Sequence, residues 1–150
     1  MSLEATLEQD LKAALLAKDA RKVSTLRMVK SVLLYAKVAG KGRDQELGDD
    51  EVIALLSKEA KKRQESADLY AQGGNTAKAE DELAEKAIIE QYLPAQLSED
   101  ELVIMVDEAI ASLGVTDASK MGQVIGTVKQ KAGASADGAV IARLVKERLA

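Results

Sequence analysis

Cysteine and histidine are both absent from this 150-residue chain. Without them there is no disulfide, no thiolate nucleophile, no imidazole base and no metal site built on nitrogen or sulfur ligands. Phenylalanine and tryptophan are missing as well, and the aromatics are Tyr35, Tyr70 and Tyr92 alone. A core must therefore be assembled from Leu, Ile, Val, Ala and Met. With abundant Glu and Lys beside them, that composition favours helices. No apolar run approaches the roughly 18–20 residues of a membrane span, and no signal-peptide pattern is present. The expectation is a cytoplasmic protein with no membrane partner.

Proline occurs once, at Pro94. Proline disfavours the α region for the preceding residue, so a helix running through Ile88-Ile89 should stop near Leu93. Four residues on, Ser98-Glu99-Asp100-Glu101 has the pattern of a capping box. One helix thus ends and another starts within Tyr92–Ser98. The spacing predicts an all-α chain of two unlike domains: residues 1–97 with four helices, and residues 98–150 with three.

Apolar periodicity places the helices. The first runs from Leu3 to Lys18 on Leu7, Leu11, Ala14 and Leu15. The second runs from Arg21 to Ala39 on Val23, Leu26, Val29, Leu33 and Ala36. A third, capped by Asp49 or Asp50, packs Val52, Ile53, Leu56, Ala60, Ala67 and Tyr70, although its middle, Lys58 to Ser66, is almost wholly polar. A fourth, capped by Asn75 or Thr76, carries Leu83, Ala87, Ile88, Tyr92 and Leu93. Past Pro94, a fifth uses Leu102, Val106, Ala109, Ile110 and Leu113. A sixth opens at Asp117 or Ala118 with Met121, Ile125 and Val128 inward. A seventh, capped by Asp137, buries Val140, Ile141, Leu144, Val145 and Leu149.

Net charge is −4. From Ala118 onward the balance reverses: Lys120, Lys129, Lys131, Arg143, Lys146 and Arg148 face only Asp137 and Glu147. Gly122 and Gly126 lie inside the sixth helix, where each glycine costs about 1 kcal/mol relative to alanine. Something must come close there, either a neighbouring helix or a ribose-phosphate backbone. Lys129 follows Gly122 by two turns and shares its side of the helix. Lys120, Gly122, Gly126, Lys129, Lys131, Arg143 and Lys146 are therefore the candidate RNA-binding residues, contacting phosphates without reading sequence. The last third holds no aromatic side chain, which argues against stacking on single-stranded bases.

Lys58, Lys61, Lys62 and Arg63 form a second basic stripe, either solvated or used for binding, with Glu59 and Arg63 as an i,i+4 pair. Arg27 and Lys30 should flank the second helix's apolar ridge, with a buried Arg27–carboxylate pair and a binding role for Arg27 as equal alternatives. Acidic pairs such as Glu80-Asp81-Glu82 sit at helix starts, where capping accounts for them. There is no phosphate loop, no dinucleotide fingerprint and no Ser-rich loop for an amidase. No catalytic residue, metal or cofactor is assigned.

Several strings, in order along nearly the whole chain, resemble the YqeY family. They are Leu26-Arg27-Met28, the run Lys58 to Ser66, Gly73-Gly74, Tyr92 to Ser98, Met121-Gly122-Gln123-Val124-Ile125-Gly126 and Ala136-Asp137-Gly138. That family consists of free-standing relatives of the tail region of the Asp/Glu-tRNA amidotransferase B subunit. The resemblance implies two unlike helical domains. It also implies tRNA, or an amidotransferase or other translation protein, as partner. In the amidotransferase the tail contacts the tRNA body while amide chemistry takes place elsewhere. By kinship the activity would be carbon–nitrogen ligation with glutamine as amido-N-donor, but releasing ammonia needs an activated nucleophile, and none stands out here. Relatives often carry a basic residue before Ala-Asp-Gly, where this chain has Ser135. The leading expectation is a non-catalytic tRNA-associated protein, with a protein-docking adapter as the alternative.

Overall fold

A computed structural model describes all residues from Met1 to Ala150. The chain is all-α: seven helices and no strand. It divides into two compact units, Met1–Leu93 and Pro94–Ala150.

The first unit holds α1 (Leu3–Leu16), α2 (Ala20–Ala39), α3 (Asp49–Gln72) and α4 (Thr76–Glu90). α1 stops two residues short of the expected Lys18. Lys18 takes a left-handed φ of 57°, and the Asp19 N–H closes back on Ala14 O at 3.0 Å. The Asp19 side chain then caps α2 by accepting the Lys22 N–H. The cap of α3 is Gly48, not Asp49 or Asp50. Asp49 already lies inside the helix, and its carboxylate accepts the Leu3 N–H at 2.8 Å. Asn75 caps α4 through the Lys78 N–H.

Leu7, Leu11, Leu26, Val29, Leu56 and Ile89 lie at the centre of the first core. Burying each large aliphatic side chain contributes about 1.5–3 kcal/mol. Leu15, Tyr70 and Leu83, expected inside, are exposed, while Ile89 is fully buried. The phenol of Tyr92 donates to Asp10 at 2.6 Å, fastening the end of α4 to α1.

The second unit holds α5 (Glu99–Leu113), α6 (Met121–Ala132) and α7 (Gly138–Leu149). The capping box is formed: Ser98 Oγ accepts the Glu101 N–H, and the Glu101 carboxylate accepts the Ser98 N–H. Gly114 ends α5 in the left-handed conformation, with φ 64°. α6 starts at Met121, later than expected, because Ala118–Lys120 form a 3-10 turn capped by Asp117. Its buried line is Val124, Val128 and Ala132, with Met121 and Ile125 half-buried at its edge. The last loop contains a second 3-10 turn, Gly133–Ser135. The Leu97 N–H donates to Ser135 O at 2.8 Å, and Gln96 donates to Ala134 O at 3.0 Å, so the segment after Pro94 is laid onto this turn. Val106, Val124, Val128, Ile141 and Val145 fill the core, a set small enough for three helices to close without an aromatic.

Candidate nucleic-acid interface

The basic end of the chain does not form a single positive patch. Its six cations share the unit with eight carboxylates, Glu99, Asp100, Glu101, Asp107, Glu108, Asp117, Asp137 and Glu147. Acids of α5 meet three of the cations. Lys131 lies 3.5 Å from Glu108, Arg148 Nε lies 3.2 Å from Asp107, and Arg143 is held between Glu99 and Glu147. All these side chains are well exposed, so each pair contributes little to stability. Their effect is on the field, since a cation facing a carboxylate attracts phosphate less.

Lys120, Lys129 and Lys146 are exposed and make no ion pair. Lys129 belongs to the same stripe of α6 as Gly122 and Gly126, at i+7 and i+3 from them. Lys131 sits about 160° around the helix from Lys129 and faces α5. Of the expected set, α6 therefore brings together Gly122, Gly126 and Lys129 and separates Lys131 from them, while Arg143, on α7, is engaged by Glu99 and Glu147.

The two glycines are open. A Cβ built on either Gly122 or Gly126 would meet no atom within 4 Å, so helix packing is not what they serve. A third glycine behaves differently. An ideal Cβ at Gly138 would fall 2.5 Å from Lys129 Cε and 2.9 Å from its Nζ. The Lys129 chain thus crosses the first residue of α7, in space that a side chain at residue 138 would contest. Beside the stripe, the Asp117 carboxyl is held below its usual range by hydrogen bonds from the Ser119 hydroxyl and backbone N–H. Ser135 accepts the Leu97 N–H through its backbone carbonyl.

The second stripe loses one member. Lys58, Lys61 and Lys62 are exposed, but Arg63 is only 8% exposed. Its guanidinium lies 2.7 Å from Glu59 and 3.3 Å from Glu85 of α4, and it also donates to Met28 Sδ at 3.3 Å. A buried arginine clamped between two carboxylates is a strut inside the first unit, and it offers nothing to a ligand. Arg27 is exposed with no ion pair, so the buried carboxylate pair is not formed, and its flanking position and a binding role both stay open. Lys30 pairs with Glu8 at 3.2 Å, which lowers the Glu8 pKa through that hydrogen bond.

One surface escaped the sequence reading. α2 carries Arg21, Lys22, Arg27, Lys30 and Lys37 and no acidic residue. The signal is present in its composition, but it is masked in the whole-chain net charge of −4 by acidic residues on other elements.

Comparison with known proteins decides the family. The family described as Yqey-like protein matches residues 4–149. The chain belongs to the YqeY family. It is also 35% identical over 88 residues to altered inheritance of mitochondria protein 41, mitochondrial, from Meyerozyma guilliermondii. The matched stretch is 59% of this chain and 44% of that protein, so less than half of the relative's length is spanned. No helix of this family member is long and apolar enough to cross a membrane.

Proposed function

We propose that this YqeY-family chain is a non-catalytic, cytoplasmic, tRNA-associated protein whose second unit rests on the RNA backbone. The observation that carries the reading is the exposed stripe of Gly122, Gly126 and Lys129. Two helical positions there have given up a side chain without any protein neighbour to require it. An open main chain lets a ribose-phosphate backbone approach closely, and Lys129 supplies the charge. Lys120 and Lys146 add unpaired positive charge, while Lys131, Arg143 and Arg148 act only where phosphate displaces their carboxylates. The absence of aromatics in this unit fits contact with a folded RNA surface and not with splayed single-stranded bases.

The test is tRNA binding measured across salt concentrations, comparing wild type with Lys120→Ala/Lys129→Ala/Lys146→Ala. Each lost phosphate contact should flatten the log–log salt slope by about 0.7–0.9. Wild type and variant binding with the same feeble affinity and the same slope would remove the reading.

A second reading is an adapter that docks on an amidotransferase or another translation component. An exposed apolar ridge on α2, Leu34, Tyr35 and Val38, favours it. Pull-down with and without RNase separates the two: partners that survive nuclease support docking. Glutamine-dependent carbon–nitrogen ligation has no supporting residue, because releasing ammonia needs an activated nucleophile and the chain has neither cysteine nor histidine to supply or activate one. Amidation by the isolated chain would overturn the non-catalytic reading.

A further inference from the structure

α2 carries five basic residues and no acidic one, in a chain of net charge −4. One face buries Leu26, Val29 and Leu33. Arg21, Lys30 and Lys37 turn toward the unit's own acids, Asp81, Glu8 and Glu4. The remaining face points to solvent. Along its first half is a shallow trough floored by Ala20, Ser24, Met28 and Ser31, with Arg27 beside them. Along its second half is the ridge of Leu34, Tyr35 and Val38, exposed by 41, 83 and 65%.

Tyr35 is the aromatic without a partner. Tyr92 is bonded to Asp10, and Tyr70 lies under the ammonium of Lys78 at 5.5 Å. An exposed tyrosine flanked by aliphatics has the composition of an interface anchor, where aromatic and arginine side chains are enriched. Small residues at Ala20, Ser24 and Ser31 leave a groove of helical pitch, into which the ridge of another helix fits. A strand would find no sheet edge here, since the fold has none.

The geometry points to the outer face of α2 as the docking surface for an acidic amphipathic helix of another protein. The partner's apolar side chains would lie on Leu34, Tyr35 and Val38, and its carboxylates would pair with Arg27. A second copy presenting its own α2 is disfavoured, because that helix offers no carboxylate to pair with Arg27. RNA accounts for Arg27 but leaves three adjoining apolar side chains with nothing to bury. This assignment deepens the docking reading by naming its surface and the partner's chemistry, and it does not depend on the RNA reading.

The experiment pans a displayed library of helical peptides against the full chain. The peptides are about 18 residues long, matching the ~27 Å from Ala20 to Val38 at ~1.5 Å per residue. Binders are then measured on wild type, on Tyr35→Ala/Val38→Ser and on Arg27→Glu. All three positions are exposed, so the variants retain the core. The expected binders carry apolar residues at i, i+3, i+4 and i+7 with flanking Asp or Glu. They should lose about tenfold or more in affinity on either variant, and panning on Arg27→Glu should shift enrichment away from acidic flanks. Binders with no acidic bias, or with equal affinity for all three proteins, overturn the assignment. So does a concentration-dependent dimer or an RNA complex that Tyr35→Ala/Val38→Ser abolishes. A nuclease-resistant partner retained undiminished by both variants would leave the docking reading standing and move its surface elsewhere.

Discussion

Arg63 and Glu59, one turn apart on α3, form an ion pair of 2.7 Å with both side chains almost sealed from water. Glu85 on α4 takes the other side of the guanidinium at 3.3 Å. Removing one partner from such a cluster strands the others, at a typical cost of 3–5 kcal/mol. Arg63→Ala should therefore lower the stability of the chain by about 3 kcal/mol or more in urea denaturation. Lys62→Ala, exposed on the same helix, should cost about 0.5 kcal/mol or less. Near-equal effects of the two substitutions would mean that Arg63 is not the strut described.

Gly126→Ala separates stability from binding. Nothing lies within 4 Å of the added methyl, and the position is interior to α6. Helix propensity alone predicts a gain of about 1 kcal/mol, read as an increase of a few degrees in Tm. If the bare main chain serves RNA, the same substitution weakens tRNA binding while it stabilises the fold. A variant that is more stable and binds equally well would detach the glycine from function.

The elements were legible wherever local chemistry decides them. Pro94 and the Ser98–Glu101 box fixed one boundary because both act through the backbone of their immediate neighbours. Burial was less legible where a helix offers apolar residues on more than one side. In α4, Leu83 and Ile89 have similar hydrophobicity, and only the placement of α1, α2 and α3 selects Ile89 for the interior. The polar middle of α3 read as solvated because a charged run carries no mark of burial. The i,i+4 relation of Glu59 and Arg63 was visible, but the third member, Glu85, comes from another helix. The candidate site was legible in part for the same reason. Gly122, Gly126 and Lys129 share a stripe by helical arithmetic, whereas the capture of Arg143, Arg148 and Lys131 by α5 depends on tertiary contacts.

Tyr92 predicts a pH response. Burial first, and the hydrogen bond to Asp10 second, push its phenol well above the ordinary value of 10.0. A group whose pKa is raised by folding contributes stability below its unfolded pKa, and that contribution is lost as pH rises toward the folded one. Stability should therefore fall above pH ~10. Tyr92→Phe should lose about 1 kcal/mol at neutral pH through the missing hydrogen bond. It should also show a shallower decline in alkali. Denaturant melts at neutral pH and in alkali, run on both proteins, measure the difference; parallel declines would mean that Tyr92 does not carry the alkaline limb.

The carboxylates of α5 give the sharpest handle on the second unit. Glu99, Asp107 and Glu108 occupy Arg143, Arg148 and Lys131. If the unit rests on phosphate, these acids compete with the ligand for the same cations. Glu99→Gln/Asp107→Asn/Glu108→Gln keeps the side-chain shapes and removes three negative charges from exposed positions. Surface pairs of this kind contribute about 0–1 kcal/mol each, so the fold should survive. Relative to wild type, tRNA affinity at low salt should rise and the salt slope should steepen, by up to about 0.7–0.9 for each cation recruited. If the phosphate face is confined to Lys120, Lys129 and Lys146, affinity rises through the weaker field of the α5 acids while the slope stays unchanged. An affinity that does not move at all would place the anion away from this unit altogether.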